Sequence, residues 1–215
     1  MEHFSPNSKK FKDTLILFVI TLISGLGLGF VYNVTSDARA KQEEKTMVEA
    51  YEAVMPGLSK YDTVDFDSKL NDTISKEIKN TEKENGISTI KAYNATIDNV
   101  VKATDDSGND LGYIVTVTDN EAYGSSLQIT VGIKTDGTVT GISFLSLSET
   151  PGLGMKAKED SFMSQFKNKK VDYFKYNKAG ASADNEINAI SSATITTNAV
   201  THGVNAAIAC VKNIT

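Results

Sequence analysis

Leu127-Gln128-Ile129-Thr130-Val131-Gly132-Ile133 alternates apolar and small or polar residues, and Thr138-Val139-Thr140-Gly141-Ile142-Ser143-Phe144 follows it. Asp136-Gly137 lies between them. Two period-two runs around an Asp-Gly pair predict a β-hairpin. Tyr113-Ile114-Val115-Thr116-Val117 predicts another strand, and Ile97, Val100 and Val101 belong to an earlier one. Asp105-Asp106-Ser107-Gly108-Asn109-Asp110 marks the turn between those two. That acidic run lacks the regular spacing and terminal Glu of an EF-hand loop, so a turn is the reading.

Helices flank this block. Phe162, Met163 and Phe166 predict a short helix with an apolar edge. Val200, Val204, Ala207, Ile208 and Val211 fall at helical spacing, with Thr197 or Asn198 as the expected cap. Met47, Ala50, Tyr51, Val54 and Met55 do the same near the front, and Pro56-Gly57 ends that run. Residues 57–91 are polar and charged. They predict a variable linker or loop with at most a short helix over Asp72–Ile78. Together these elements predict an α+β domain, an antiparallel sheet with flanking helices.

No charged residue occurs between Thr14 and Ser36. A run of roughly 20 apolar residues is enough to cross a bilayer as a helix. Ala38-Arg39-Ala40 imitates a signal-peptidase site, but signal cores are only about 7–15 residues long, so a retained transmembrane helix is expected. Lys9, Lys10 and Lys12 precede the span, whereas the residues after it are mixed in sign. The basic tail predicts a cytoplasmic N-terminus and a large domain outside the cytoplasm. Gly25-Leu26-Gly27-Leu28-Gly29 imitates a dinucleotide loop, yet it sits within the span and no strand precedes it. Helix–helix packing and the general abundance of glycine in such helices both account for it.

Composition narrows the chemistry. The 215 residues have room for one anchor and one globular domain. A net charge of −5 argues against nucleic acid as a partner. One cysteine, Cys210, cannot ligate an iron–sulfur cluster or form an internal disulfide. The two histidines, His3 and His202, stand on opposite sides of the membrane span and make no zinc or haem site. Redox chemistry here would need an organic cofactor. Four Asn-x-Thr sequons, at Asn33, Asn71, Asn94 and Asn213, are short patterns of the kind that recur by chance.

Two segments carry candidate chemistry. Asn188-Ala189-Ile190-Ser191-Ser192-Ala193-Thr194-Ile195-Thr196-Thr197 places small and hydroxyl side chains just before an expected helix start. Free N–H groups and the helix dipole favour a phosphate there, although a Ser/Thr-rich stretch is equally an ordinary cap. Ser148-Glu149-Thr150-Pro151-Gly152-Leu153-Gly154 is a Pro-Gly loop that either turns the chain or lets a flat ring approach its backbone.

In this order, behind one membrane helix, the two segments resemble the FMN-binding domain family. They resemble in particular the G subunit of the Rnf electron-transport complex. The C subunit of the sodium-pumping NADH:quinone reductase is the near alternative; a flavin-free membrane-anchored ligand-binding module and a purely structural assembly subunit are further ones. The resemblance implies four segments: a cytoplasmic tail at 1–13, a transmembrane helix at 14–36, a helical and variable linking region at 37–91 and an FMN-binding domain at 92–215. It implies FMN esterified through its phosphate to Thr194, in a pattern of Asp-x-x-(Ser/Thr)-Gly-Ala-Thr. Ser191, Ser192, Ala193 and Thr197 would surround the phosphate. Glu149, Thr150, Gly152, Leu153, Gly154 and Lys156 would contact the cofactor. No residue is expected to act as a catalytic base, and no metal is expected. The implied setting is the bacterial cell membrane, with lipid, the D, A and E subunits of the complex, and a flavin transferase as partners. Asn188 and Ser192 depart from the pattern, which has aspartate and glycine there; a demand for positive φ at Ser192 would strain a serine.

Overall fold

The computed structural model describes residues 6–67, 69–87 and 89–215, with side chains from Lys10 onward. The first five residues, His3 among them, and the Lys9 side chain lie outside the described residues. The chain divides after Thr46 into two units.

The first unit is helical. α1 runs over Pro6–Val54 without a break, so the expected membrane helix and the expected helix at 47–55 are one element. Among the described residues, this helix is long and apolar enough to cross a membrane. Residues 14–36 alone span about 35 Å at 1.5 Å per residue, matching the hydrocarbon core. Leu15, Ile16, Phe18, Leu22, Leu26 and Phe30 are all exposed, as expected for side chains made for lipid.

The second unit is built on a five-stranded antiparallel meander, in the order β1-β2-β3-β4-β5. These strands are β1 (Lys60–Thr63), β2 (Ala95–Thr104), β3 (Asp110–Asp119), β4 (Leu127–Lys134) and β5 (Val139–Ser146). The Asp136-Gly137 turn joins β4 to β5, with Gly137 at φ 85°. Asp105 closes the β2–β3 turn by accepting the N–H groups of Ser107 and Asn109 on Oδ1. Its Oδ2 accepts the Asn109 side chain, so the turn itself uses the carboxylate.

Alternation sends β3 side chains to two cores. Val115 and Val117 join the main core, while Ile114 joins a smaller one with Tyr51, Val54, Met55, Val101 and Ala103. A register shift between Ile97 and Asn99 explains why Ile97 and Val100, three apart, share the main core.

The short helix expected over Asp72–Ile78 is present and longer, and the rest of residues 57–91 is less of a loop than the sequence suggests. This stretch holds β1 and also α2 (Lys69–Glu84), a 16-residue helix. Leu70, Ile74 and Ile78 recur every fourth residue, a narrow apolar stripe on an otherwise charged helix. Ile74 and Ile78 are buried by it. Beyond the sheet come α3 (Asp160–Met163) and the parallel pair β6 (Lys175–Asn177) and β7 (Glu186–Asn188).

α4 (Thr194–Ile214) packs across β2, β3 and β4 and is buried from Thr196 to Val211. It carries polar residues inside, and several are matched to a neighbour. Asn205 receives the Phe174 N–H at 2.7 Å and donates to the Phe174 carbonyl at 2.9 Å. His202 is 2% exposed, and its Nε2 lies 2.7 Å from Glu82 of α2. Its Nδ1 is 3.9 Å from Asp119, which is fully buried. Burial outweighs that neighbour and pushes the Asp119 carboxyl up to about 6. Cys210, on the same helix, is fully buried, and burial pushes its thiol up to about 12.

Candidate functional site

The helix start differs from expectation. α4 begins at Thr194, three residues before Thr197, and its N-cap is Ala193, which offers no side-chain acceptor. Thr197 is therefore inside the helix and fully buried. Its hydroxyl accepts the Ile190 N–H at 3.0 Å and donates to the Ala193 carbonyl at 3.0 Å. This pins the preceding turn onto the helix. Without a side-chain cap, the first-turn N–H groups of α4 face outward for another acceptor.

Ser192 has φ 62°, in the left-handed region. A residue with a Cβ there costs about 1–2 kcal/mol. The position demands what glycine gives freely, so serine here carries the anticipated strain. The reversal turns the chain sharply, two residues before Thr194.

The Pro-Gly segment forms a type II turn. The Leu153 N–H donates to the Thr150 carbonyl at 3.1 Å, Pro151 takes the second position, and Gly152 takes the third at φ 77°. A 3-10 helix, Gly154–Lys158, continues from it. Glu149 then links three segments. Its Oε1 accepts the Tyr123 N–H at 3.0 Å and the Thr196 hydroxyl at 2.9 Å. A Cβ on Gly154 would sit 2.6 Å from Glu149 Oε2 and 2.7 Å from Thr196 Oγ1, so only glycine leaves this junction intact.

Between these segments lies a cavity of about 630 Å³. Glu149, Thr150, Leu153, Gly154, Ser192, Ala193 and Thr194 line it, seven of the residues singled out by sequence. Ile90, Tyr123, Ile195 and Thr196 complete the wall. Ile90 and Tyr123 gave no signal in the sequence; they reach the site because the loops carrying them fold back to it. Thr196 was legible only as one more hydroxyl of the motif. Lys156 and Ser191 do not join the cavity; they line a separate groove of about 200 Å³ with Asn188. Asn188 Oδ1 accepts the Ala181 N–H at 2.7 Å, so this departure from the pattern holds a neighbouring loop. Gly152 shapes its turn without lining the cavity, and Thr197 is sealed beneath it.

The four threonines of α4 differ in one respect. Thr196 donates to Glu149, Thr197 to Ala193 and Thr201 to Thr197. The Thr194 hydroxyl has no hydrogen-bond partner among the described residues, and Thr194 lines the cavity.

The chain matches the FMN-binding domain family over residues 122–209, a stretch holding every wall of the cavity except Ile90. It is 31% identical to the G subunit of the Na(+)-translocating ferredoxin:NAD(+) oxidoreductase complex of Acetobacterium woodii, over 95% of this chain and 92% of that one. It is 30% identical to the G subunit of the proton-translocating ferredoxin:NAD(+) oxidoreductase complex of Clostridium ljungdahlii, over 96% of this chain and 97% of that one. The chain belongs to this G-subunit family. The C subunit of a Na(+)-translocating NADH-quinone reductase from Vibrio anguillarum is 31% identical, but over 60% of this chain and 52% of that protein. The likeness to the G subunits thus extends over the N-terminal part of the chain as well as the domain. Two family members are named for different ions, so membership leaves the coupling ion open.

Proposed function

We propose that this chain is the membrane-anchored electron-relay subunit of an Rnf-type ion-translocating ferredoxin:NAD+ oxidoreductase, and that it carries FMN esterified to the Thr194 hydroxyl. The observation that carries the reading is that free hydroxyl on the wall of the large cavity. Its size, about 630 Å³, falls within the roughly 300–1,000 Å³ typical of cofactor sites.

FMN, when bound, supplies one- and two-electron redox chemistry. The chain's residues supply place and surroundings. Thr194 offers the oxygen that forms the phosphoester. The start of α4 offers uncapped N–H groups and a positive dipole end to the phosphate. Ser192 turns the backbone away and leaves the hydroxyl accessible to a flavin transferase. Thr150, Leu153 and Gly154 offer a surface against which the ring can lie. Electron relay needs proximity and a suitable potential and no base, so the isolated chain has no separate catalytic activity.

The 14–36 segment of α1 anchors the subunit in the bacterial cell membrane. The basic N-terminal side lies in the cytoplasm and the domain outside it, where a tethered flavin cannot be lost. The D, A and E membrane subunits are its neighbours in the complex.

Thr194→Val tests the attachment. The full chain, co-expressed with a flavin transferase, should gain the mass of one FMN less one water and fluoresce in a denaturing gel. The variant should lose both signals while unfolding within about 1 kcal/mol of wild type. Covalent flavin on the variant would disprove Thr194 as the site.

A further inference from the structure

Tyr123 stands at the mouth of the cavity with 71% of its surface exposed. Among the described residues its ring stacks on no other aromatic. Its backbone, by contrast, is held firmly. Its N–H donates to Glu149 Oε1 at 3.0 Å. The next residue, Gly124, lies so close to the 148–149 backbone that an added Cβ would fall 2.0 Å from the Ser148 carbonyl oxygen. The same Glu149 oxygen holds the Thr196 hydroxyl, in the first turn of α4. One carboxylate therefore fixes the distance between the Tyr123 loop and the helix start that bears Thr194. Leu153 and Ile90, 40% and 44% exposed, complete an apolar rim around the same opening. A fixed backbone carrying an uncovered aromatic ring, beside apolar neighbours, suits a flat aromatic partner.

We propose that Tyr123 stacks on the isoalloxazine ring of the Thr194-linked FMN, and that Glu149 is the positioning residue that holds Tyr123 there. This rests on the Thr194 reading. It assigns to the site an aromatic wall outside both sequence motifs.

The test uses the full chain in detergent, co-expressed with a flavin transferase. Intact mass gives the attached flavin, and emission is measured per attached flavin. A phenol in contact with an excited flavin quenches it by donating an electron; a benzene ring does not. Tyr123→Phe should keep the added mass and brighten the flavin several-fold with little change in its absorption bands. Tyr123→Ala should brighten it similarly and shift those bands. Glu149→Ala, with Tyr123 intact, should also brighten it. Glu149→Gln retains an oxygen that accepts both hydrogen bonds and should stay as dim as wild type. Emission in loaded Tyr123→Phe equal to wild type overturns the stacking proposal and leaves the attachment standing. Wild type without the added mass overturns both. Brightening in Glu149→Gln as large as in Glu149→Ala overturns the positioning role alone.

Discussion

Thr194, at the start of α4, and the third turn share one helix axis, yet their polar side chains are used in opposite ways. In the third turn every polar group meets the protein: His202 meets Glu82, Asn205 meets Phe174, and Thr201 meets the Thr197 carbonyl. In the first turn Thr196 and Thr197 are likewise taken up, by Glu149 and by Ile190 and Ala193, and Thr194 alone among the α4 threonines faces a cavity with its hydroxyl unused. Sealing the third turn fixes α4 on the sheet, and a fixed helix holds the first turn still. The contrast separates two kinds of polar residue that look alike in a sequence. Those consumed by the fold are revealed by their partners, and Thr194 stands apart because its hydroxyl has none while it lines a cavity.

Breaking the sealed turn should give the largest effect. His202→Ala opens a hole under α2 and removes the 2.7 Å partner of Glu82, at a cost of about 3–5 kcal/mol from the lost packing and hydrogen bond together. Urea unfolding of the full chain in detergent should show this. At temperatures where the variant stays folded, it should still accept flavin on Thr194. Loss of labelling from fully folded His202→Ala would mean that the two turns are not separable.

A pH series sharpens the same contrast. The Asp119 carboxyl is raised to about 6 by burial, so the folded state binds its proton more tightly than the unfolded state, where a carboxyl titrates near 3.9. Its contribution to stability is present below about pH 4 and is lost as pH rises through 6, by no more than about 3 kcal/mol. His202, Glu121 and Tyr93 are the titratable groups around it. Its carboxylate also accepts the Glu121 N–H, a bond that an asparagine side chain would keep. Asp119→Asn should flatten the fall in stability between pH 4.5 and 6.5, removing a slope of up to about 1.4 kcal/mol for each step of one in pH. An unaltered slope would assign that fall to other groups.

Two glycines give the smallest and most local comparison. In Gly154→Ala the new methyl meets Glu149 and Thr196, which are bonded to each other, and should cost about 1–3 kcal/mol. In Gly203→Ala it meets the far end of Ile129 at 2.9 Å, which can move. The roughly 1 kcal/mol gained from helix propensity offsets that contact, so stability should change little. Thermal unfolding midpoints compare them, and equal losses would show that the junction at Glu149 is no tighter than the core.

Much of this was legible in the sequence. β4 and β5 followed from alternation and an Asp-Gly pair, because half-buried strands impose period two. The membrane segment followed from uncharged length. Only the middle of α2, Asp72–Ile78, was legible, and its full length was not: Leu70, Ile74 and Ile78 are few among charged residues, and such a helix owes its stability to packing on α4. Thr197 read as a cap because hydroxyls favour helix starts; the start lies earlier, since Ala193 ends the left-handed turn at Ser192. Seven of eleven candidate site residues line one cavity because two short motifs converge there. Tyr123 and Ile90 were invisible because proximity in space leaves no local signature.

Cys210 has a practical consequence. Its thiol is fully buried and pushed up to about 12, so at neutral pH almost none of it is thiolate. It is also the chain's only sulfhydryl. A cysteine engineered into the exposed loops around the cavity would react alone with a maleimide or a nitroxide. Spin or dye labels could then report distances across the assembled complex without first deleting a native residue from the core.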